Sequence, residues 1–336
     1  MDTAARLAPV GKAGQRFQQF FRAKSSCRSP AANLSGVSTI DGLTGVLVAL
    51  ASPLHRDGSV DAEGTARLVE HVLDGGVSGV LALGSTGETA SLDEAARRQV
   101  LEAVVAATHK RVPVLCGVAQ SQLSSALSEV DAAARAGADA VLVTPPYYYP
   151  TDQPGVAAFY RAIAERASIP VLVYNIPPFT KVVAEPATVA DLAREGAIHG
   201  IKDSSRDFEY FEGVCIATHD MPEFRVFTGS DTMLVASLAA GGAGTICGAA
   251  NVAPQWVVRV YDAFMRGDIE AARAAQEDLY RLVMALRAGV FPGAIKAALH
   301  LQGICEPWTA PPARKLDGRL EAQLHEQLAR WSLLPD

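Results

Sequence analysis

The chain has 336 residues, 49% hydrophobic and 20% charged, enough to bury a sizeable core as one large domain or two ordinary ones. Its net charge of −6 gives no basic footprint for nucleic acid or an anionic membrane surface, and no apolar run reaches the roughly 18 residues that would span a bilayer. Five cysteines without a C-x-x-C pair, and seven histidines without H-x-H or H-E-x-x-H, leave no local metal site to expect.

Residues 1–40 stand apart. Arg6, Lys12, Arg16, Arg22, Lys24 and Arg28 are set against one acid, Asp2. A basic, acid-poor leader resembles a mitochondrial transit peptide. A disordered tail, or a start codon set too early, is the simpler account and the one preferred. The protein is then expected in the cytoplasm, and an odd cysteine count suits a reducing compartment.

From Gly45 onward a short apolar run, a polar turn and an amphipathic helix recur. The runs are GVLVALAS from Gly45, GVLALGSTGE from Gly79, VPVLCGVA from Val112 and AVLVTPPYYY from Ala140. PVLVYNIPP from Pro170, IHGIKDSS from Ile198, FRVFTGSD from Phe224 and GTICGAAN from Gly244 follow, which makes eight. None alternates, as expected of parallel strands buried on both faces. Asp61 should cap the first helix, which stops at Gly75 and Gly76. In SLDE, Ser91 is the expected cap and Glu94 its capping-box partner. GGAG from Gly241 precedes a strand, so it should serve tight helix-to-strand packing rather than cradle phosphate. Eight such units argue for an α/β fold, a (β/α)8 TIM barrel over residues 41–267. VALASPLHRDG after the first strand has no G-x-G-x-x-G, which removes the support for a doubly wound sheet. Residues 268–336 read as a C-terminal helical region, packed on the barrel or a neighbouring subunit. Lys296, on one of its helices, is expected at a surface or interface.

A barrel keeps its active site at the carboxyl ends of its strands. Of seven lysines only Lys202 ends a strand. Loss of hydration there favours the neutral amine, which can attack a carbonyl and form a Schiff base; the alternative is an ion pair with Asp203. Ser85 and Thr86 in GSTGE could hold a carboxylate on hydroxyls and backbone N–H groups. Tyr174, one strand before Lys202, could pass protons. The run Tyr147–Tyr149 could be catalytic or an aromatic patch at a subunit contact.

GSTGE, Y-N-I-P, GIKDSS and TGSD…GGAGTI…AN occur together in this order. The chain thereby resembles the family of dihydrodipicolinate synthase and N-acetylneuraminate lyase over about residues 43–305. The resemblance implies a metal-independent class I aldolase or lyase that joins pyruvate, or another 2-oxo acid, to an aldehyde, or separates them, with no cofactor. It casts Lys202 as the Schiff-base lysine and Tyr174 as proton donor and acceptor. Ser85 and Tyr148 become partners in the proton relay, the second tyrosine often being lent by a neighbouring subunit. Thr86, Ile246 and Gly229 fall at the 2-oxo acid. The assembly implied is a homotetramer, a dimer of dimers.

Two departures narrow the activity. Dihydrodipicolinate synthases typically carry an arginine five residues after this tyrosine, for the aldehyde's carboxylate. Here Phe179 stands there, and a phenyl ring cannot make that pair. Phe179 suits a neutral aldehyde, as in the 2-keto-3-deoxy sugar acid aldolases. Lys181 is a candidate to replace the lost charge, though a surface lysine is the plainer expectation. The helix after GSTGE carries Glu94 and Arg97 and no histidine, which argues against the feedback lysine site of biosynthetic members. The rivals are the synthase itself, a 2-keto-3-deoxy acid dehydratase, and a 2-oxo acid binding regulator without turnover.

Overall fold

A computed structural model describes residue 40 and residues 42–335; the basic leader lies outside the described residues. Eight parallel strands close in sequence order into a barrel. They are β1 (Gly45–Ala49), β2 (Gly79–Ala82), β3 (Val114–Val118), β4 (Ala140–Val143), β5 (Val171–Asn175), β6 (Gly200–Asp203), β7 (Arg225–Thr228) and β8 (Gly244–Cys247). Each strand meets the barrel interior on one face and the helix layer on the other, so the apolar runs do not alternate. Inward residues such as Leu47, Leu81, Leu115, Leu142, Leu172 and Phe227 pack the interior solid.

The helices between strands are α1 (Ala62–Asp74), α2 (Glu94–Thr108), α3 (Leu123–Ala136), α4 (Gln153–Ala164), the short α5 (Pro177–Thr180), α6 (Pro186–Arg194), α7 (Phe208–Ala217), α8 (Leu234–Ala239) and α9 (Pro254–Met265). Aspartates start many of them. Asp61 accepts from Gly64 N–H at 2.7 Å, and Asp152 and Asp207 do likewise at α4 and α7. Each such cap stabilises its helix by about 1 kcal/mol. The cap of α2 is Asp93, which accepts from Ala96 N–H at 2.8 Å, and not Ser91. Ser91 ends a 3-10 turn over Thr89–Ser91, and that turn delays the helix by two residues.

Of the glycines in GGAG, Gly242 serves the expected helix-to-strand packing, since a Cβ there would strike Ser237 O of α8, while Gly244 serves a strand-to-strand contact. Gly244 has φ +152°, and a Cβ there would strike the Gly45 carbonyl where β8 meets β1. Asn251 fastens the same seam. Its Oδ1 accepts from Ala51 N–H at 2.9 Å, and its Nδ2 donates to Ala49 O at 2.7 Å and Gly248 O at 2.9 Å.

After the barrel come α10 (Ile269–Leu286), α11 (Gly293–Leu301) and α12 (Gly318–Arg330). They pack on the barrel, and α10 and α11 supply Val283, Leu286 and Ile295 to the wall of the cavity at its carboxyl end. Lys296 is not at a surface. It is 0% exposed and lies 2.9 Å from Glu88, itself buried in the turn after β2. Its Nζ donates to the carbonyls of Ser52 and Trp308 at 2.5 and 2.6 Å, and Glu88 Oε2 accepts from Ala310 N–H at 2.6 Å.

Candidate active site

A cavity of about 500 Å³ opens at the carboxyl ends of the strands. Strand register determines what reaches it. Tyr174 of β5 lies beside Lys202 of β6, and Asn175 beside Asp203. Side chains alternate along a strand, so the first pair points into the barrel and the second away from it. Lys202 is only 3% exposed. Its Nζ donates to Tyr174 OH over a long 3.4 Å and sits 4.4 Å from the centre of that ring. Tyr174 OH is also 3.2 Å from Ser85 Oγ, in the turn after β2. A hydroxyl, a phenol and an amine thus form one chain across three strands.

The rival ion pair is absent. Asp203 accepts from Asn175 Nδ2 at 2.8 Å and from Ser205 N–H and Oγ–H at 3.0 and 2.9 Å. Burial pushes its carboxyl above the ordinary range, against the pull of those bonds. Lys202 has no carboxylate partner among the described residues.

Space beside the amine depends on Gly229. A Cβ there would come within 2.9 Å of Lys202 Cε and strike Ser204 Oγ. Thr86 is buried, and with Ile246 it lines the same end of the cavity. Ser85, Thr86, Tyr174, Lys202, Gly229, Ile246 and Phe179 therefore all face one space. Phe179, on α5, is 60% exposed, and its ring centre lies 6.4 Å from that of Phe291.

Two sequence candidates fall elsewhere. Tyr148 is 85% exposed at φ +83°, with its ring edge-on to Tyr149 at 5.0 Å, and it does not line the cavity of its own chain. Its neighbour Tyr147 is tied down, donating to Ala119 O at 3.0 Å. Lys181 turns back on α5 and donates to Pro178 O at 2.8 Å, so it does not replace the charge missing at Phe179.

Sequence reasoning missed two cations. Arg206 follows β6, and Arg287 caps the carboxyl end of α10; both line the cavity, and neither has an ion-pair partner among the described residues. Partial burial lowers the Arg287 guanidinium from its ordinary value, and the charge of Arg206 adds to this while Asp231 opposes it. Arg206 was findable as the only cation within a few residues of GIKDSS. Arg287 lies far along the chain from every motif.

The chain matches the dihydrodipicolinate synthetase family model over residues 42–330. It is 38% identical to an uncharacterised DapA-like lyase of Halobacterium salinarum over 87% of this chain and 95% of the relative. It is 35% identical to a 4-hydroxy-tetrahydrodipicolinate synthase of Methanopyrus kandleri over 88% and 98% of the two chains. Among solved structures, it is similar to YagE from E. coli K12, a prophage protein of the dihydrodipicolinic acid synthase family solved with pyruvate. That match has a TM-score of 0.83 at 30% identity, covering 87% of this chain and 99% of the other. A dihydrodipicolinate synthase from Thermotoga maritima gives 0.84 at 30% identity, over 87% and 99%.

Proposed function

Because this chain belongs to the dihydrodipicolinate synthetase family, and is therefore a class I pyruvate-dependent aldolase or lyase, we propose that it makes or cleaves a 2-keto-3-deoxy sugar acid at Lys202. The observation that carries this reading is the Ser85–Tyr174–Lys202 chain at the base of the cavity. In the cleavage direction the amine nitrogen of Lys202 adds to C2 of the 2-oxo acid. The carbonyl oxygen leaves as water, and a protonated imine remains. Tyr174, backed by Ser85, takes the proton of the C4 hydroxyl. The C3–C4 bond breaks, the aldehyde departs, and the electron pair moves onto C3 and the imine to give an enamine. Protonation at C3 and hydrolysis at C2 release pyruvate and restore the amine.

Thr86 and the backbone at Ile246 hold the carboxylate of the 2-oxo acid, and Gly229 leaves room for its C3. Tyr148 acts in a second copy of the chain, where its exposed ring would complete the relay. The assembly we propose is a homotetramer, a dimer of dimers, and its location the cytoplasm, as the family resemblance and the cysteine usage suggest. Ser204 and Ser230 on the cavity wall suit a substrate rich in hydroxyls. Phe179 stands where the synthases place a carboxylate-binding arginine, so this chain does not hold an aldehyde's carboxylate in the way those synthases do.

The test is a panel of 2-keto-3-deoxy acids assayed for pyruvate release, beside aspartate semialdehyde assayed with pyruvate. Release from one or more sugar acids is expected. Faster consumption of aspartate semialdehyde than of every sugar acid would move the assignment to the synthase. Loss of water without release of an aldehyde would move it to a dehydratase.

A further inference from the structure

We propose that Arg206 and Arg287 form a distal anion subsite, so that the aldehyde end of the substrate carries a terminal carboxylate or phosphate. This deepens the Schiff-base reading above and rests on it. Phe179 alone would suit a neutral aldehyde, but Arg206 and Arg287 bring charge to the same cavity.

Charge comes first. Besides the reacting amine of Lys202, two guanidiniums line this cavity, Arg206 and Arg287, against one acid, Asp231, in a chain whose net charge is −6. Asp231, whose Oδ1 accepts from Ala249 N–H at 3.0 Å, offsets part of the charge on Arg287 and leaves the cavity with an excess of positive charge. Both guanidiniums face the one cavity, and the charge of Arg206 weighs against that of Arg287. Like charges facing one space are destabilising until an anion comes between them. A guanidinium presents a fixed fork of donors that matches carboxylate or phosphate oxygens.

Backbone strain is the second observation. Arg206 holds φ +65° in the loop between β6 and α7. A side chain in this conformation is strained, and glycine would occupy it freely. Such strain is concentrated at sites where the side chain is used. Arg287, at the carboxyl end of α10, has a separate structural benefit from the helix dipole. That benefit accounts for a cation at this helix end and not for its facing the cavity.

Position is the third. Lys202 and Arg206 share the end of β6, so a substrate joined to the amine at C2 can extend along the same loop. Thr86, which lines the cavity with Ile246, is assigned to the first carboxylate. The wall at Phe179 and Phe291 is apolar. The distal recognition therefore comes from another side of the mouth than in a synthase with arginine at position 179.

The experiment compares three aldehydes with pyruvate: glyceraldehyde, tartronate semialdehyde (in which the terminal CH2OH is a carboxylate) and glyceraldehyde 3-phosphate. At least one charged aldehyde should exceed glyceraldehyde in kcat/KM by about tenfold or more, and the preference should shrink with added salt. The better of the two distinguishes carboxylate from phosphate. Arg206→Gln and Arg287→Gln should each lower the charged-to-neutral ratio by about tenfold. Arg206→Gly relieves the positive φ, so its Tm should not fall while the ratio does, which separates recognition from misfolding. A neutral aldehyde used as well as both charged ones, or a ratio unmoved by all three substitutions, overturns the subsite. Borohydride trapping of pyruvate on the wild-type enzyme separates the two readings. Trapping without preference for charge overturns the subsite alone, and absence of trapping overturns the Schiff-base reading with it.

Discussion

Tyr174 OH contacts both Ser85 Oγ, at 3.2 Å, and Lys202 Nζ, at 3.4 Å. Its phenol is the one group placed to take a proton from a substrate joined to the amine and pass it on. Tyr174→Phe keeps the ring in the barrel interior and removes only the hydroxyl. It should lower kcat by about 10²–10⁴-fold, while thermal unfolding moves little; an unchanged kcat would take Tyr174 out of the proton path. Much of this site was legible before any coordinates, because buried lysine and tyrosine at neighbouring strand ends are hard to explain by packing. Arg206 was visible in the sequence as the cation beside GIKDSS, but that it faces the cavity was not. Its direction depends on a left-handed turn, and many residue types besides arginine can end a loop. Lys181 was misleading for the same reason: it is close in sequence to Phe179, yet its turn points it back at Pro178 O.

At the scale of elements, the turn after β2 is fastened to the C-terminal helices by Glu88 and Lys296, 2.9 Å apart and both buried. The same turn carries Ser85 and Thr86. Lys296→Met leaves Glu88 charged and unpaired inside the protein, which should cost about 3–5 kcal/mol. The double variant Glu88→Gln with Lys296→Met should recover part of that, because no lone charge remains. Urea unfolding of the single and double variants measures both, and strictly additive losses would show that the pair does not act as a unit. The burial of Lys296 could have been foreseen. GAIKAALHL is apolar around most of its circumference, the mark of a buried helix, and a lysine within it needs a partner inside. Glu88 was visible in GSTGE, but the 207 residues between the partners gave no means of joining them. The start of α2 shows the limit of local rules in another way. Ser91 and Glu94 satisfy a capping-box spacing, yet Asp93 is the cap because a 3-10 turn intervenes.

For the molecule as a whole, the barrel was the most legible feature. Each strand is buried on both faces and announces itself as a short apolar run, and parallel order then follows from the helices between. What one chain cannot express was less legible: Tyr148 and Tyr149 lie exposed, and a role for Tyr148 requires a second copy. Stability should also depend on pH through His71, in α1. Burial lowers its pKa from the ordinary 6.5, outweighing the nearby backbone of Val252 and Asn251. The folded state then binds fewer protons than the unfolded one, so stability rises with pH across the window between the lowered value and 6.5. It is fully present above that window and is lost as the pH falls through the folded value. His71→Gln should flatten this slope in urea titrations between about pH 5 and 7.5, and an unaltered slope would assign it to other groups. The central claim, a Schiff base on Lys202, is tested most directly by borohydride reduction with pyruvate present, followed by peptide mass analysis. The account expects loss of activity and a reduced pyruvate adduct on the peptide containing Lys202, absent without pyruvate and absent in Lys202→Ala. An active, unmodified enzyme after that treatment would contradict it.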